Sequence, residues 1–159
     1  MAKVNELEKK ANAVNLQYRK LKKALILKVP VPILMTAKGL VAQQSTVDYT
    51  GLIAGGSFLA FDAKETQSKT SFPLANIHQH QLIYLEYVKE LGGISFFMIH
   101  FKFVHETKAF ITPISLVQKY WYGNERKSIP LGDFKEEWLT EIDAYIEKVE
   151  EMKDGLIGE

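Results

Sequence analysis

STVDYTG (Ser45–Gly51) and FDAKET (Phe61–Thr66) are the two stretches that decide the fold of this chain. Both lie in segments rich in β-branched and aromatic residues, which predict strands over residues 46–53 and 57–63. Residues 54–56, between them, read Ala-Gly-Gly and predict a tight turn. Such a turn folds the second strand back onto the first.

The predicted strand pair brings two carboxylates and one amine together. Side chains two residues apart share a strand face, so Asp62 and Lys64 point together, while Phe61 and Ala63 point to the other side. Asp48 on the first strand then approaches Asp62. Two such carboxylates repel each other and are costly to remove from water together.

A divalent cation relieves that cost, because Mg²⁺ prefers oxygen ligands and usually takes one or two carboxylates with water and phosphate. We therefore predict a metal site formed by Asp48, Asp62 and the backbone carbonyl of Ala63. A metal there lowers the pKa of a bound water and neutralises charge on a phosphoryl group. Lys64 would orient or deprotonate the water, or stabilise the transition state, and the sequence does not separate these roles.

The rest of the chain predicts an α/β fold, a mixed central sheet flanked by helices. Apolar periodicity predicts helices, and continuous β-branched and aromatic runs predict strands. Asn76 is the expected N-cap of the second helix, and Gly92 is expected to follow its end. The expected helices are 5–28, 76–91, 115–121 and 134–153, and the further expected strands are 33–36, 94–103 and 107–111.

Composition narrows the function classes. The chain has 159 residues and 47% hydrophobic content, which predicts a single folded domain over 1–159. It contains no cysteine, which excludes thiolate catalysis, disulfides and cysteine zinc sites. No apolar run is long enough to cross a bilayer, and the lysine-rich start has no signal-peptide pattern. A cytoplasmic protein without a membrane partner is expected.

The net charge of +1 conceals a gradient along the chain. Residues 1–40 hold nine Lys and Arg against two Glu, whereas residues 132–159 hold three Lys against ten Asp and Glu. An uneven distribution of this kind creates a local basic surface for nucleic acid without a high isoelectric point. Two solvated helices of opposite charge are the alternative interpretation.

Asp48 followed by Asp62-x-Lys64 matches the pattern of the PD-(D/E)xK nucleases, and the surrounding sequence resembles the RecU Holliday junction resolvases. The likeness runs from about residue 7 to residue 150. The stretches that carry it are 44–51, 61–66, 69–74, 76–81, 126–130 and 142–145. Asp62 stands where relatives commonly have Glu.

This resemblance implies a homodimer that binds a four-way DNA junction and cuts two strands symmetrically with Mg²⁺, or with Mn²⁺ as a substitute. It implies hydrolysis that leaves 5′-phosphate ends. Asp48 and Asp62 would be metal ligands and Lys64 the catalytic lysine. Such an enzyme would act in the cytoplasm of a bacterial or phage-infected cell.

Further candidates follow from the same resemblance, each beside a plain structural alternative. Glu8, with Glu6 as second choice, would add a carboxylate from the first helix, or complement the helix dipole. Thr46 and Gln81 are candidates for contact with the reacting groups. The candidates for DNA contact are Arg19, Lys20, Lys22, Lys23, Lys69, Gln79, Arg126 and Lys127. Tyr120, Trp121 and Tyr122 would stack on unpaired bases or pack in the core.

The resemblance departs from the family in one place. RecU proteins carry a long stalk before the first aspartate, whereas here only a stalk-like excursion at about 36–45 is available. Strict selectivity for junctions is therefore less firmly predicted than nuclease activity. The alternatives are a nuclease of the same fold that acts on other DNA, restriction-like or repair-like, and a junction-binding protein that does not cleave.

Overall fold

The computed structural model describes residues 5–31, 33–42 and 46–157. Its α-helices are α1 (Glu6–Lys20), α2 (Gln79–Glu90), α3 (Ile114–Gly123) and α4 (Tyr145–Leu156). Its strands are β1 (Ala24–Lys28), β2 (Ile33–Thr36), β3 (Gly39–Ala42), β4 (Tyr49–Ile53), β5 (Phe58–Thr66), β6 (Ser71–Pro73), β7 (Ile94–Phe101), β8 (Lys108–Pro113), β9 (Ser128–Pro130) and β10 (Leu139–Glu141). Single 3₁₀ turns span Leu74–Asn76, Leu131–Asp133, Glu136–Trp138 and Ile142–Ala144.

Six strands form one mixed sheet in the order β1-β4-β5-β7-β8-β10. β5 and β7 are parallel, and the other neighbouring pairs are antiparallel. The parallel pair needs a crossover, which β6 and α2 provide. All eight residues of β7 are buried, as expected for a strand covered on both faces. The prediction of an α/β fold with a mixed central sheet flanked by helices is confirmed.

Two hydrophobic clusters cover the two faces of this sheet. On one face, Phe61 and Ala63 of β5 pack with α1 and α4. On the other face, Ala60 of β5 packs with α2 and α3. Because strand side chains alternate, Asp62 and Lys64 point toward the α2 side. The predicted opposition of these two residues to Phe61 and Ala63 is confirmed.

Several predicted elements have different bounds. The helix expected over 5–28 ends at Lys20, and residues 24–28 form β1 instead. Leu25, which the apolar repeat placed on the buried face of that helix, is instead exposed on β1, and Ala24 and Ile26 are buried on the other face of the strand. Lys22, with a positive φ of 57°, makes the turn between the two elements.

The helix expected over 134–153 is also wrong in its first half. Two 3₁₀ turns and β10 occupy that part, and α4 begins only at Tyr145. The expected N-cap Asn76 is wrong as well, since it ends a 3₁₀ turn and His78 caps α2. Gly92 follows α2 with φ 92°, as predicted.

The stalk-like excursion is a separate two-stranded hairpin of β2 and β3. It begins at Ile33, before the predicted start at 36, and turns at residues 37–38. The Thr36 hydroxyl donates to the Gly39 carbonyl at 2.9 Å and fixes this turn. Residues 43–45 of the predicted excursion, including Gln44 and Ser45 of the quoted motif, lie outside the described residues.

Within the described part of the chain, no helix has the length and apolar character needed to cross a membrane.

Candidate active site

The site lies where β4 and β5 separate. Their pairing ends at Tyr49 opposite Phe61, so the backbone of β5 beyond Phe61 has no partner strand on that side. Asp48, the residue before β4, takes the place of a partner: its Oδ2 accepts a hydrogen bond from Ala63 N at 3.1 Å. In return, Asp62 Oδ1 accepts from Asp48 N at 2.9 Å. This reciprocal pair holds the two carboxylates side by side, as predicted.

The backbone carbonyl of Ala63 faces the same opening. In an extended strand, the N–H and C=O of one residue point to the same side. The Ala63 N–H points to Asp48, so its carbonyl also lies at the unpaired edge of β5. This is the orientation that a third oxygen ligand needs.

Lys64 completes the pair on the α2 side of the sheet. Its Nζ lies 3.0 Å from Asp62 Oδ2, and its side chain is 16% exposed. This contact is an ion pair, and within the described residues Asp62 Oδ2 has no other polar partner. The amine thus lies beside the carboxylates and is partly exposed.

A second lysine in the site, Lys28, was missed from the sequence. Its Nζ lies 2.9 Å from Asp48 Oδ1 and 3.6 Å from Glu8 Oε1. Lys28 ends β1, but the sequence pattern predicted a helix through residue 28, and a helix there does not place Lys28 beside Asp48. The Lys28 ammonium therefore bridges the carboxylates of Asp48 and Glu8.

Glu8, the first choice for a helix carboxylate, lies beside Asp48. Burial and the Asp48 charge raise the pKa of Glu8, while Lys28 opposes that rise. Tyr49 anchors this part of α1: its hydroxyl donates to Asn12 Oδ1 at 2.7 Å and lies 3.3 Å from the Glu8 carbonyl oxygen. The second choice, Glu6, instead lines a separate hollow with Glu65 and His100.

Asp62 carries the most perturbed carboxyl of the site. Its side chain is fully buried, and burial together with the Asp48 charge raises its pKa to about 7. Lys64 and the hydrogen bond from Asp48 N lower it, but less. A buried carboxylate next to another acid costs free energy unless a cation neutralises it.

These oxygens fit a divalent metal ion. Asp62 Oδ2 is buried without a hydrogen-bond partner, beside a second carboxylate and a backbone carbonyl. An all-oxygen set of this kind suits hard cations. No group of three or more His, Asp or Glu able to hold a metal occurs in residues 5–31, 33–42 and 46–157. The site therefore offers two carboxylates and needs water or substrate for the remaining positions.

The weaker candidates are placed less favourably. Thr46 is exposed and precedes β4, so its predicted position on a strand face is wrong. Gln81 is largely buried and caps α2, with its Oε1 accepting from His78 N at 3.0 Å. Gln79, the first residue of α2, and Lys69 are exposed.

The proposed DNA-contacting cations lie in two separate places. Arg19, Lys20, Lys22 and Lys23 surround the end of α1, and Lys23 pairs with Glu147 at 3.4 Å. Twelve residues along the helix put Lys20 roughly 18 Å from Glu8. Arg126 and Lys127 are exposed just before β9, on the side of the sheet to which Lys64 points.

Residues 3–151 match the family model described as "Recombination protein U". The chain is 37% identical over 142 residues to the Holliday junction resolvase RecU of Lactococcus lactis strain IL1403, covering 81% of this chain and 65% of that relative. It is 36% identical to the RecU of Pediococcus pentosaceus, covering 94% of this chain and 84% of the relative. With the RecU of Oenococcus oeni it shares 38% identity over 78% of this chain and 69% of the relative.

Proposed function

The chain belongs to the RecU family, and from that premise we propose that it is an endonuclease that resolves four-way DNA junctions. The single observation that carries the proposal is the reciprocal pairing of Asp48 and Asp62, with Lys64 Nζ 3.0 Å from Asp62. The relatives described above, with 36–38% identity, are Holliday junction resolvases.

A divalent cation is the cofactor that such a nuclease family implies, and we propose Mg²⁺, with Mn²⁺ as a substitute. Asp48, Asp62 and the Ala63 carbonyl would hold it. When bound, it supplies a water of lowered pKa and neutralises charge on the phosphoryl group.

The chain's own residues perform three tasks in this reaction. Asp62 stays ionised once its charge is balanced, and its fixed position beside Asp48 orients the ligands. The Lys64 ammonium, next to Asp62, donates hydrogen bonds to the water or to a phosphate oxygen where negative charge develops. Lys28 holds Glu8 and Asp48 together, and thereby positions the Asp48 side chain.

We propose a homodimer, because a two-fold axis presents one active site to each of two opposed strands. The supporting feature is an exposed apolar row on the sheet: Leu25 of edge strand β1 lies opposite Leu52, which lies opposite Phe58. These side chains are 40–47% exposed. Contiguous apolar surface of this kind marks protein interaction sites.

Leu25→Glu is expected to convert a dimer to a monomer in analytical ultracentrifugation. An unchanged mass would reject this row of side chains as the interface.

The activity test compares a synthetic four-way junction, a fork and linear duplex, each with and without Mg²⁺. We expect paired, symmetric cuts in the junction and little cutting of the duplex. Asp62→Asn is expected to bind the junction in Ca²⁺ and not cut it in Mg²⁺. Cutting by this variant at the wild-type rate would refute the proposed metal site.

The same assay addresses the rival functions. Equal rates on linear duplex would assign the chain to the nucleases of this fold that act on other DNA. Junction binding by the wild-type protein with no cutting in Mg²⁺ or Mn²⁺ would make it a binding protein. The fork is included because the β2–β3 hairpin is short, and a short stalk makes selectivity for four-way junctions less firmly predicted than nuclease activity.

The alignment with the Pediococcus pentosaceus relative extends over 171 positions, more than the 159 residues of this chain, so that relative carries residues that this chain lacks.

A further inference from the structure

A hollow of about 320 Å³ lies between the end of α3 and the β6–β9 strand pair. Its floor is apolar, with Leu74 and Ile77 beside the indole of Trp121. Its rim carries two cations, Arg126 and Lys127, and none of its lining residues is acidic.

The cations at this rim are free to bind an anion. Both are exposed, and neither takes part in an ion pair within the described residues, although Arg126 lies beside the Tyr120 hydroxyl, which donates to Asp133. Their backbone is fixed, because the Lys127 carbonyl accepts from Leu74 N at 2.9 Å. The turn before them is set by Asn124, which ends α3 in the left-handed region with φ 56°. Two cations at the mouth of a hollow lined by an indole suit a ligand that combines a flat ring with a phosphate group.

We propose that this hollow binds an unpaired nucleotide of the DNA substrate, with its base against Trp121 and its phosphate on Arg126 and Lys127. The inference rests on the proposed function and deepens it. Base stacking on an aromatic side chain is tolerant of sequence, and cations that follow the backbone supply affinity. The hollow lies on the side of the sheet to which Lys64 points.

The second tryptophan of the sequence, Trp138, provides a comparison for Trp121, because it also lies in a hollow. That hollow has a similar volume of about 350 Å³, but its lining includes Glu137, Glu151 and Asp154. Carboxylates repel phosphate, so an indole in this setting should not contact DNA.

The test uses tryptophan emission of two full-length variants with a 12-residue oligothymidine in Ca²⁺. In Trp138→Phe, where only Trp121 emits, the oligonucleotide is expected to quench the emission. In Trp121→Phe, where only Trp138 emits, it is expected to leave the emission unchanged. Inorganic polyphosphate, which has the charge without the base, should compete for binding without quenching. Equal quenching of both tryptophans, no quenching of Trp121 despite binding, or quenching by polyphosphate would each overturn the inference.

A second measurement examines the cations. Arg126→Ala with Lys127→Ala is expected to weaken oligothymidine binding about tenfold. It should also reduce the slope of log affinity against log salt by about 1.4, since each single-strand phosphate contact contributes about 0.7. The control removes the same charge elsewhere with Lys135→Ala and Lys153→Ala, and should change neither quantity. An unchanged slope in the Arg126 and Lys127 double variant would contradict the phosphate contact.

The nucleotide hollow and the proposed junction cleavage can be rejected independently of each other. If Trp121 does not respond while the wild-type protein cuts junctions, only the nucleotide hollow is wrong. If junctions are neither bound nor cut, the proposed function itself is wrong.

Discussion

Removing the charge of Asp62 should make the metal-free protein more stable, although it destroys a proposed catalytic residue. Burial and Asp48 raise the pKa of this fully buried carboxyl from 3.8 to about 7. The folded state therefore resists the ionised form that prevails at pH 8. A difference of three pKa units corresponds to about 4 kcal/mol, at roughly 1.4 kcal/mol per unit. Asp62→Asn removes this cost, but its amide must find its own partners, so we expect a gain of about 2 kcal/mol.

The pH dependence identifies the cause. Below the unfolded pKa near 3.8, Asp62 is protonated in both states, and the cost is absent. It develops as the pH rises above that value, and stability is lost until the pH has passed the folded pKa of about 7. Because the cost of the amide does not depend on pH, the advantage of Asp62→Asn should be largest at pH 8, close to zero near pH 5, and reversed below about pH 4.

The assay is urea unfolding of both proteins in EDTA across that pH range. Asp154→Asn, which neutralises an exposed acid of α4, serves as the control and should change stability by less than about 0.5 kcal/mol. Excess Mn²⁺ should then stabilise the wild type and not Asp62→Asn, because binding to the folded state alone adds stability. An Asp62→Asn protein that is no more stable at pH 8, or whose gain does not shrink with acid, would refute the reasoning.

Four further predictions follow from the same contacts. Lys64→Met should lower the cleavage rate at least about 100-fold in single-turnover assays while junction affinity in Ca²⁺ changes little, with Lys135→Met as the control. Tyr49→Phe removes the hydrogen bond to Asn12 and should cost about 1 kcal/mol in urea unfolding; a neutral result would show that the hydroxyl does not anchor α1. Gly51→Ala should destabilise strongly, since its Cβ would lie 2.0 Å from the Leu25 carbonyl oxygen, whereas Gly132→Ala meets open space; similar thermal midpoints would contradict this. Mn²⁺ affinity by calorimetry should weaken about tenfold per pH unit below about 7 with proton release on binding, because Asp62 must lose its proton to bind; pH-independent affinity would count against Asp62 as a ligand.

The centre of the fold was predictable from the sequence because short-range rules govern it. Strand alternation placed Asp62 and Lys64 opposite Phe61 and Ala63, and the turn at 54–56 required β5 to return along β4. These local constraints are enough to bring Asp48 beside Asp62. The metal and DNA roles of all the named site residues stay predictions, since geometry alone does not test them.

The ends of the chain were less predictable because tertiary contacts override periodicity there. Residues 24–28 extend the apolar repeat of α1, yet pairing with β4 makes them a strand. Residues 139–141 lie inside the helix predicted over 134–153, but pairing with β8 makes them β10. The contact of Lys28 with Asp48 depends on β1 lying beside β4, which no local pattern indicates. Long-range strand pairing was therefore the missing information at both ends.

The separation of β4 from β5 also determines which variants can test the site. Asp48 Oδ2 satisfies the Ala63 N–H that a continued β4 would otherwise bond, and Asp48 Oδ1 binds Lys28. Asp48→Ala would therefore remove a proposed ligand and leave a backbone donor without its partner, so a loss of cleavage would have two explanations. Asp62→Asn keeps an oxygen that can accept from Asp48 N, while it removes the charge and with it the ion pair to Lys64. The Asp62 charge opposes folding but is required to bind a cation. Asp62→Asn should therefore raise the stability of the metal-free protein and abolish cleavage, whereas Asp48→Ala should lower both.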